Sequence, residues 1–258
     1  MSADTLRRVF DGHLHIIDPR FPLVPNRGYL PEPFTVEDYL DKTRTLDLTG
    51  GVVVSGSFQG FDQSYLLDAL ERLGPSFYGV TQLPATVTDE EVMRLHEAGV
   101  RAVRFNLYRG GSVALDDLED LAFRVHELSG WHAELYVDSK DLPELESGLA
   151  ALPGVTIDHL GMTRDGYPAL LRLVEKGVKV KATGFGRVQL DVPTALREIS
   201  AVDPGALIFG TDLPGTRAER PFEEADTDVI VETLGETLAD RVLHKNATSW
   251  YLRGDSQG

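Results

Sequence analysis

The sequence predicts an α/β fold of the TIM (β/α)8-barrel type, formed by one domain over residues 1–258. Short apolar, β-rich segments alternate with amphipathic helical segments along the chain, a pattern typical of a parallel sheet covered by helices. Eight such strand segments can be counted, and 258 residues is an ordinary length for one barrel. The alternative is an open doubly wound sheet. No Gly-x-Gly-x-x-Gly motif follows the first strand to favour a dinucleotide-binding version of that fold.

The individual elements follow from hydrophobic periodicity and from the residues that begin and end helices. Thr35 and Thr88 are typical N-cap residues, and Gly99 and Gly177 are typical helix stops. The predicted strands are 8–14, 51–55, 78–83, 100–106, 132–137, 155–159, 178–183 and 206–210. The predicted helices are 36–47, 89–98, 116–129, 141–151, 168–176, 193–201, 224–238 and 240–250.

Composition excludes several classes of function. The formal net charge of −16 disfavours nucleic acid and anionic lipid as partners. The chain contains no Cys, so a disulfide framework, a thiolate nucleophile and a Cys-based metal site are excluded. No apolar run is long enough to span a bilayer, and residues 1–8 lack the apolar core of a signal peptide. We therefore expect a cytoplasmic enzyme with no membrane partner, whose oligomeric state the sequence leaves open.

One segment, residues 18–34, departs from the regular spacing because it carries five prolines. It follows the first strand, and the loops after barrel strands lie on the face where barrel active sites are found. This segment is therefore either a lid or wall of the substrate site, or a stiff surface connection, and the sequence favours neither.

Histidines at the end of the first strand are the first candidate site residues. Asp11, His13 and His15 alternate along a strand, so their side chains are expected on the same side of the sheet. Two imidazoles at the barrel mouth can ligate one metal ion or polarise one carbonyl group. The alternative is a pair of hydrogen-bonded core histidines.

Titratable residues also end the sixth and eighth strands, as His159 and Asp212. Barrel catalysis concentrates at these positions, and a buried Asp among histidines is a candidate general base. The alternatives are a core His at 159 and, at 212, a turn-forming Asp before Pro214.

Arginines follow several of the predicted strands, on a strongly acidic chain. A guanidinium holds a carboxylate through two parallel hydrogen bonds, so several together indicate a small substrate with two carboxylates. Arg104 and Arg187 are the strongest candidates because strand-end positions are well fixed. At least two of the five are expected to form loop salt bridges instead. The five are Arg104, Arg109, Arg164, Arg187 and Arg217.

Two further pairs of polar residues lie on predicted strands. Ser55 and Ser57, at the end of the second strand, are candidates to donate hydrogen bonds to a substrate carboxylate, although serine is also common in turns. Glu134 and Lys181 are expected to point into the barrel and pair there, because a buried charge needs a partner. A Schiff-base role for Lys181 is the less favoured alternative.

Taken in chain order, His13, His15, His159 and Asp212 resemble the amidohydrolase superfamily over nearly the whole chain. Further residues resemble the 2-pyrone-4,6-dicarboxylate lactonase group of that superfamily. These residues are Arg104-Phe105-Asn106, Tyr136 and the run from Lys181 to Arg187. The resemblance implies a barrel hydrolase that opens a lactone formed during the degradation of aromatic compounds.

The sequence also departs from the wider superfamily. Binuclear members are expected to carry a carboxylated Lys at the fourth strand, where this chain has Arg104 and Asn106. Many metal-binding members end the fifth strand with His, where this chain has Tyr136; His132 lies roughly 13 Å further down the strand. His13, His15, His159 and Asp212 could together hold one zinc. The lactonase resemblance implies a metal-free enzyme, so we expect no cofactor.

The resemblance also implies a role for each candidate. Asp212 would activate water, the three histidines would polarise the carbonyl, and Tyr136 would hydrogen-bond the substrate. Arg104 and Arg187, helped by Arg109, Arg217 or Ser57, would bind its carboxylates. Three alternatives stay open: a zinc-dependent decarboxylase, a sugar-lactonase with a neutral substrate, and a non-catalytic binder of aromatic acids.

Overall fold

The computed structural model describes residues 7–109 and 115–252. Eight parallel strands are hydrogen-bonded in sequence order, β1 to β8, and form a barrel, as predicted. The strands are β1 (Arg8–Leu14), β2 (Asp47–Val54), β3 (Phe77–Thr81), β4 (Val100–Asn106), β5 (His132–Tyr136), β6 (Val155–Ile157), β7 (Lys179–Ala182) and β8 (Leu207–Phe209).

Helices surround the barrel. They are α1 (Val36–Lys42), α2 (Ser64–Leu73), α3 (Asp89–Glu97), α4 (Leu115–Ser129), α5 (Leu142–Ala151), α6 (Tyr167–Glu175), α7 (Val192–Val202), α8 (Ala225–Leu234), α9 (Glu236–Asp240) and α10 (Asn246–Tyr251), with a π-helical turn at Arg241–Lys245 before the last. In the part of the chain that the structure describes, no helix has the length and apolar character needed to cross a membrane.

The caps predicted for two helices are present. The Thr35 hydroxyl accepts a hydrogen bond from the amide of Asp38, whose carboxylate accepts one from the amide of Thr35. Thr88 caps α3 in the same way, through the amide of Glu91. Gly99 and Gly177 have φ values of 102° and 96°, the left-handed conformation in which glycine ends a helix without strain.

One helix was missed and several predicted boundaries were wrong. The predicted helices lack α2, because Gln63 before it supplies no side-chain cap, although Tyr65, Leu66 and Ala69 give it an apolar face. Strand β2 begins at Asp47, which shortens α1. The predicted helix 224–238 breaks at Gly235, where φ is 74°. Strands β6, β7 and β8 end before their predicted last residues because the chain there turns out of the sheet towards the barrel mouth.

The apolar core has two parts. The larger lies between the strands and the surrounding helices. The smaller fills the amino-terminal half of the barrel, where Phe10, Tyr78 and Tyr251 stack with ring centroids 6.1 to 6.5 Å apart. Each buried large apolar side chain contributes about 1.5–3 kcal/mol, so α10 stabilises the barrel by closing this end with Tyr251.

His132 also lies at this closed end, which leads to a prediction about acid stability. Burial, together with the charge of Lys181, lowers the pKa of His132 to about 3, and the Trp250 indole N–H donates to its Nε2. The folded protein therefore keeps His132 neutral, while the unfolded chain takes up a proton there as pH falls from about 6.5 to 3. His132 thus contributes stability that is lost as pH falls through this window.

The wild-type protein is compared with the variant His132→Gln. The glutamine side chain can still accept the hydrogen bond from Trp250, but it does not titrate. As pH falls from 6.5 to 3, the unfolding free energy of the variant should fall less steeply than that of the wild type. The two slopes should differ by up to about 1.4 kcal/mol per pH unit. Urea titrations at several pH values measure both slopes. Equal slopes would contradict a neutral His132 in the folded state.

Candidate active site

The structure brings the predicted histidines and aspartate together at the carboxyl ends of the strands. The ring of His13 lies 5.1 Å from that of His15 and 5.0 Å from that of His159, measured between centroids. Asp212 Oδ1 lies 3.5 Å from His15 Nε2 and 3.9 Å from His13 Nε2. All four residues are buried.

Asp11 does not face the site, so the expectation that it shares one side of the strand with His13 was wrong. The pairing of β1 with β2 shifts register between Asp11 and Leu14, and this irregularity breaks the alternation of side chains. The carboxylate of Asp11 contacts Tyr39 of α1, whereas His13 points into the barrel towards Glu134.

The backbone at the mouth adopts conformations that L-residues rarely take. His159, Leu160 and Asp212 have φ values of 50°, 52° and 58°. Each such conformation costs about 1–3 kcal/mol and persists only where the surrounding structure holds it, which is common at functional sites. Gly184 belongs to the same cluster, since a Cβ there would lie 2.8 Å from His159 Nδ1 and 3.0 Å from Asp212 Oδ2.

A hydrogen bond determines which nitrogen of His15 carries the proton. His15 Nδ1 lies 2.7 Å from the Val54 carbonyl, which can only accept, so Nδ1 is the donor and Nε2 of the neutral ring is an acceptor. The groups around His13 Nδ1 are of both kinds: the carboxylates of Asp158 and Glu134 lie at 3.4 and 3.6 Å, and the Lys181 ammonium, which can only donate, lies at 3.4 Å.

The electrostatics keep His13 and His159 neutral and Asp212 ionised. Burial lowers the pKa of His13 well below its usual value and that of His159 to about 3. Burial alone would raise the pKa of Asp212, but the Arg187 guanidinium, with Nη2 2.5 Å from Oδ2, lowers it far below its usual range. The site therefore presents a carboxylate beside the neutral rings of His13 and His159 at neutral pH.

Three buried polar atoms of the site, His13 Nε2, His159 Nδ1 and Asp212 Oδ1, have no hydrogen-bond partner in the described structure. Each of the three residues offers a possible metal-ligand atom within 4.8 Å of those of the other two. Such a set needs a water molecule or a metal ion at its centre. The ligand atoms of these three residues fit one zinc ion. However, Asp212 is already paired with the positively charged Arg187, and this charge opposes the binding of a metal ion to the same carboxylate.

A second buried cluster lies beneath the site and contains the predicted pair of Glu134 and Lys181. The Lys181 ammonium is 2.5 Å from Glu134 Oε2 and 3.4 Å from His13 Nδ1, and both charged side chains are fully buried. His13, Glu134 and Asp158 also have metal-like spacing, but Lys181 already brings a positive charge among them. Lys181 does not line the cavity, which disfavours a Schiff-base role.

Asp158 is a site residue that sequence reasoning missed. Its Oδ2 accepts hydrogen bonds from Arg104 Nη2 at 2.7 Å and Nε at 3.3 Å, while its Oδ1 faces His13. Its position directly before His159, at the end of a buried strand, is the same signal that identified the other candidates.

A cavity opens above His15 and His159. Loop 18–34 supplies Tyr29 to its lining, so this loop is a wall of the site. Ser57 also lines the cavity, whereas Ser55 does not and hydrogen-bonds the buried Tyr65 hydroxyl. The predicted residues among the lining are His15, Ser57, Arg104, Arg109, Tyr136, His159, Arg187 and Arg217.

The arginines of the cavity divide into two kinds. Arg104 and Arg187 are ion-paired with Asp158 and Asp212. Arg109 and Arg217 have no carboxylate partner among the described residues. Arg109 lies over the rings of Tyr108 and Tyr136, while Arg217 lies 4.3 Å from the ring centroid of Tyr29 and donates to the Asn26 carbonyl.

Of the five arginines singled out from the sequence, Arg164 alone lies away from the cavity. It pairs with Glu198 at 2.5 Å. Three of the five thus have a carboxylate partner, where at least two were expected to form loop salt bridges, but only that of Arg164 is an ordinary surface pair.

A parallel (β/α)8 barrel with His-x-His at the end of β1, His after β6 and Asp after β8 defines the amidohydrolase class of barrel. The chain belongs to the amidohydrolase family, whose family model matches residues 10–253. This confirms the superfamily that the residue pattern resembled.

Individual relatives are similar over different lengths. A 2-pyrone-4,6-dicarboxylate hydrolase of Comamonas testosteroni is 35% identical over 162 residues, which is 58% of this chain and about half (51%) of that protein. A 4-sulfomuconolactone hydrolase of Rhizobium radiobacter is 31% identical over 92% of this chain and 86% of that protein. The crystal structure of a probable 2-pyrone-4,6-dicarboxylic acid hydrolase of Acinetobacter baumannii with citric acid bound is 25% identical, with a TM-score of 0.83 over 94% of this chain and 98% of that one.

Proposed function

We propose that this protein is a hydrolase that opens a small lactone bearing two acidic groups, such as 2-pyrone-4,6-dicarboxylate, without a bound metal. The observation that carries the proposal is the cavity lined by Arg109 and Arg217, which have no carboxylate partner in the described structure. The same cavity is lined by His15, by His159 and by Arg187, which is paired with the ionised Asp212. Two relatives are named for the hydrolysis of acidic lactones, and the Acinetobacter protein holds a tricarboxylic acid, which supports an anionic substrate.

Substrate binding falls to the arginines. On a chain of net charge −16, a guanidinium without a carboxylate partner attracts an anion, and its planar fork matches a carboxylate. Arg109 and Arg217 would hold one acidic group near the cavity mouth. Arg104 keeps N–H groups beyond those that bind Asp158 and Ser55, so it would contribute to the second. Because these arginines favour an anionic ligand, a neutral sugar lactone is disfavoured as the substrate.

Asp212 and His15 would position the attacking water. His15 Nε2 would accept a hydrogen bond from one proton of this water, and Asp212 would remove the other proton as the water oxygen attacks the lactone carbonyl carbon. The ring C–O bond then breaks, and Asp212 returns the proton to the leaving oxygen. Because the Nδ1 proton of His15 is already bound by the Val54 carbonyl, we assign the polarisation of the lactone carbonyl to His159, which lines the cavity.

The alternative to a water molecule at this site is one zinc ion. His13, His159 and Asp212, with His15, would hold it, and it would act as a Lewis acid on a substrate oxygen. This possibility keeps a zinc-dependent decarboxylase as the second candidate function.

Elemental analysis of the purified protein, together with a lactonase assay on 2-pyrone-4,6-dicarboxylate before and after chelation, separates the two. We expect little metal and turnover that resists the chelator. One tightly held zinc per chain, with activity lost on its removal and restored by zinc alone, would contradict the metal-free proposal. Release of carbon dioxide in place of ring opening would favour the decarboxylase.

Arg109→Gln and Arg217→Gln test the anion site. Each variant is expected to raise KM by about 10- to 100-fold with little change in kcat, because a charge-assisted hydrogen bond to the bound substrate is lost. Arg164→Gln is the matched control, since Arg164 pairs with Glu198 away from the cavity. Steady-state kinetics of the three variants measures KM and kcat. An unchanged KM for Arg109→Gln and Arg217→Gln would refute the proposal that these arginines bind an acidic group of the substrate.

A further inference from the structure

The buried carboxylate of Asp11 is not used in the mechanism above. Asp11 is fully buried, and no ion pair between it and a cationic side chain is found within the described ranges. It accepts four hydrogen bonds: Oδ1 from the amides of Thr211 at 2.8 Å and His13 at 3.2 Å, and Oδ2 from the hydroxyls of Thr211 at 2.7 Å and Tyr39 at 3.1 Å. An ion buried in this way is costly, so its retention calls for an explanation.

Three of the four donors belong to the segments that carry the site. Thr211 directly precedes Asp212, and the His13 amide lies on the residue that faces Asp212. The hydroxyl of Thr211 also accepts a hydrogen bond from the Leu213 amide at 3.2 Å, so its contacts flank Asp212 on both sides. The fourth donor, the Tyr39 hydroxyl, comes from α1 and not from a segment that carries the site.

These contacts lie where the barrel closes. Beyond the ends of β1 and β8, the amide of Asp212 donates to the His13 carbonyl at 2.7 Å, and the amide of His15 donates to the Leu213 carbonyl at 2.8 Å. Asp11 thus joins the same two segments through its side chain. Because Asp212 has a φ of 58°, which is unfavourable for a residue with a Cβ, the loop needs such contacts to keep this conformation.

We propose that Asp11 is a positioning residue for Asp212, and that it acts through the amide and hydroxyl of Thr211. Both carboxylate oxygens of Asp11 are occupied by protein donors, whereas Asp212 Oδ1 has no partner in the described structure, so we assign Asp11 no contact with the substrate. The carboxylate of Asp11 holds the loop in the conformation that directs Asp212 Oδ1 towards the histidines. The inference rests on the proposed function, in which Asp212 is the base.

The decisive comparison is Thr211→Val with Thr211→Ser. Valine keeps the shape of threonine but removes the hydroxyl that donates to Asp11, whereas serine keeps it. Tyr39→Phe is the matched control, because it removes one hydrogen bond to the same oxygen from the side of α1. Asp11→Asn forms the second half of a double-mutant cycle with Thr211→Val.

We expect Thr211→Val and Asp11→Asn to lower kcat by about 10- to 100-fold on 2-pyrone-4,6-dicarboxylate with KM unchanged, since small displacements of a reacting group have effects of this size. Thr211→Ser and Tyr39→Phe should stay within about 3-fold of the wild type. The double variant Asp11→Asn/Thr211→Val should be no slower than the slower single variant, because both act through one contact.

Amide hydrogen exchange of residues 211–213, followed by mass spectrometry, gives a readout without substrate. Exchange should be faster in Thr211→Val and Asp11→Asn but not in Tyr39→Phe. If the wild type hydrolyses no lactone, the proposed function fails, and this exchange pattern alone decides whether Asp11 holds the loop. Equal loss of kcat in Tyr39→Phe and Thr211→Val, or exchange that is the same in all four proteins, would overturn the inference.

Discussion

Asp212→Asn is expected to lower kcat by about 10²- to 10⁴-fold, the range typical of losing a general base. The change preserves the shape of the side chain and leaves an oxygen that can still accept a hydrogen bond from Arg187. It removes the negative charge and the ability to take a proton from water. Steady-state kinetics on 2-pyrone-4,6-dicarboxylate measures the loss.

Binding should survive this substitution, and that separates an enzyme from a non-catalytic binder of aromatic acids. The affinity for pyridine-2,4-dicarboxylate, a ring with two carboxylates and no ester bond, measured by calorimetry, is expected to stay within about 10-fold of the wild type. A binder would show equal affinities and no turnover in either protein. Turnover by Asp212→Asn close to the wild-type rate would exclude Asp212 as the base.

Asp226→Asn provides the control for burial and ion pairing. Asp226 is also buried and bound by an arginine, Arg220, through hydrogen bonds of 2.6 and 3.0 Å, but it lies outside the cavity. If Asp226→Asn lowered kcat as much as Asp212→Asn, the loss would reflect a weakened fold and not the chemistry.

Lys181→Met should produce the largest loss of stability. Removing one partner of a buried ion pair leaves an uncompensated charge and typically costs about 3–5 kcal/mol of unfolding free energy. Here the charge left behind is Glu134, which is fully buried, and burial already raises its pKa to about 7 while Lys181 lowers it. Urea unfolding at pH 8 measures the loss, because Glu134 is ionised there in the wild-type protein.

The same substitution at Lys179 is the matched control. Lys179 lies two residues earlier on β7 and is bound to Asp203 at 3.1 Å, but this pair is partly exposed, with 13% and 34% of the two side chains accessible. Exposed pairs contribute about 0–1 kcal/mol. The double variant Glu134→Gln/Lys181→Met should recover part of the loss, since no buried charge is left alone. Equal losses at 179 and 181 would contradict a dominant role for the buried pair.

Much of this architecture is readable from local patterns. Alternation along β5 and β7 was enough to predict that Glu134 and Lys181 would meet inside the barrel, because side chains of a strand alternate strictly unless the strand is irregular. The same reasoning, applied to the ends of strands, located His13, His15, His159 and Asp212 at one mouth. It failed for Asp11 because a register shift, which depends on the neighbouring strand, interrupts the alternation there.

The sequence by itself therefore determined the barrel and the residues at its mouth, because periodicity, capping and strand-end position are properties of short stretches of chain. The superfamily came from the resemblance of those residues to a known family. Only the tertiary structure decided which arginines have carboxylate partners, since Asp158 and Arg104 lie 54 residues apart. It also decided the proton position on His15, through the carbonyl of Val54 on the neighbouring strand. Such contacts depend on how distant strands align, and alignment is decided by packing the whole barrel at once.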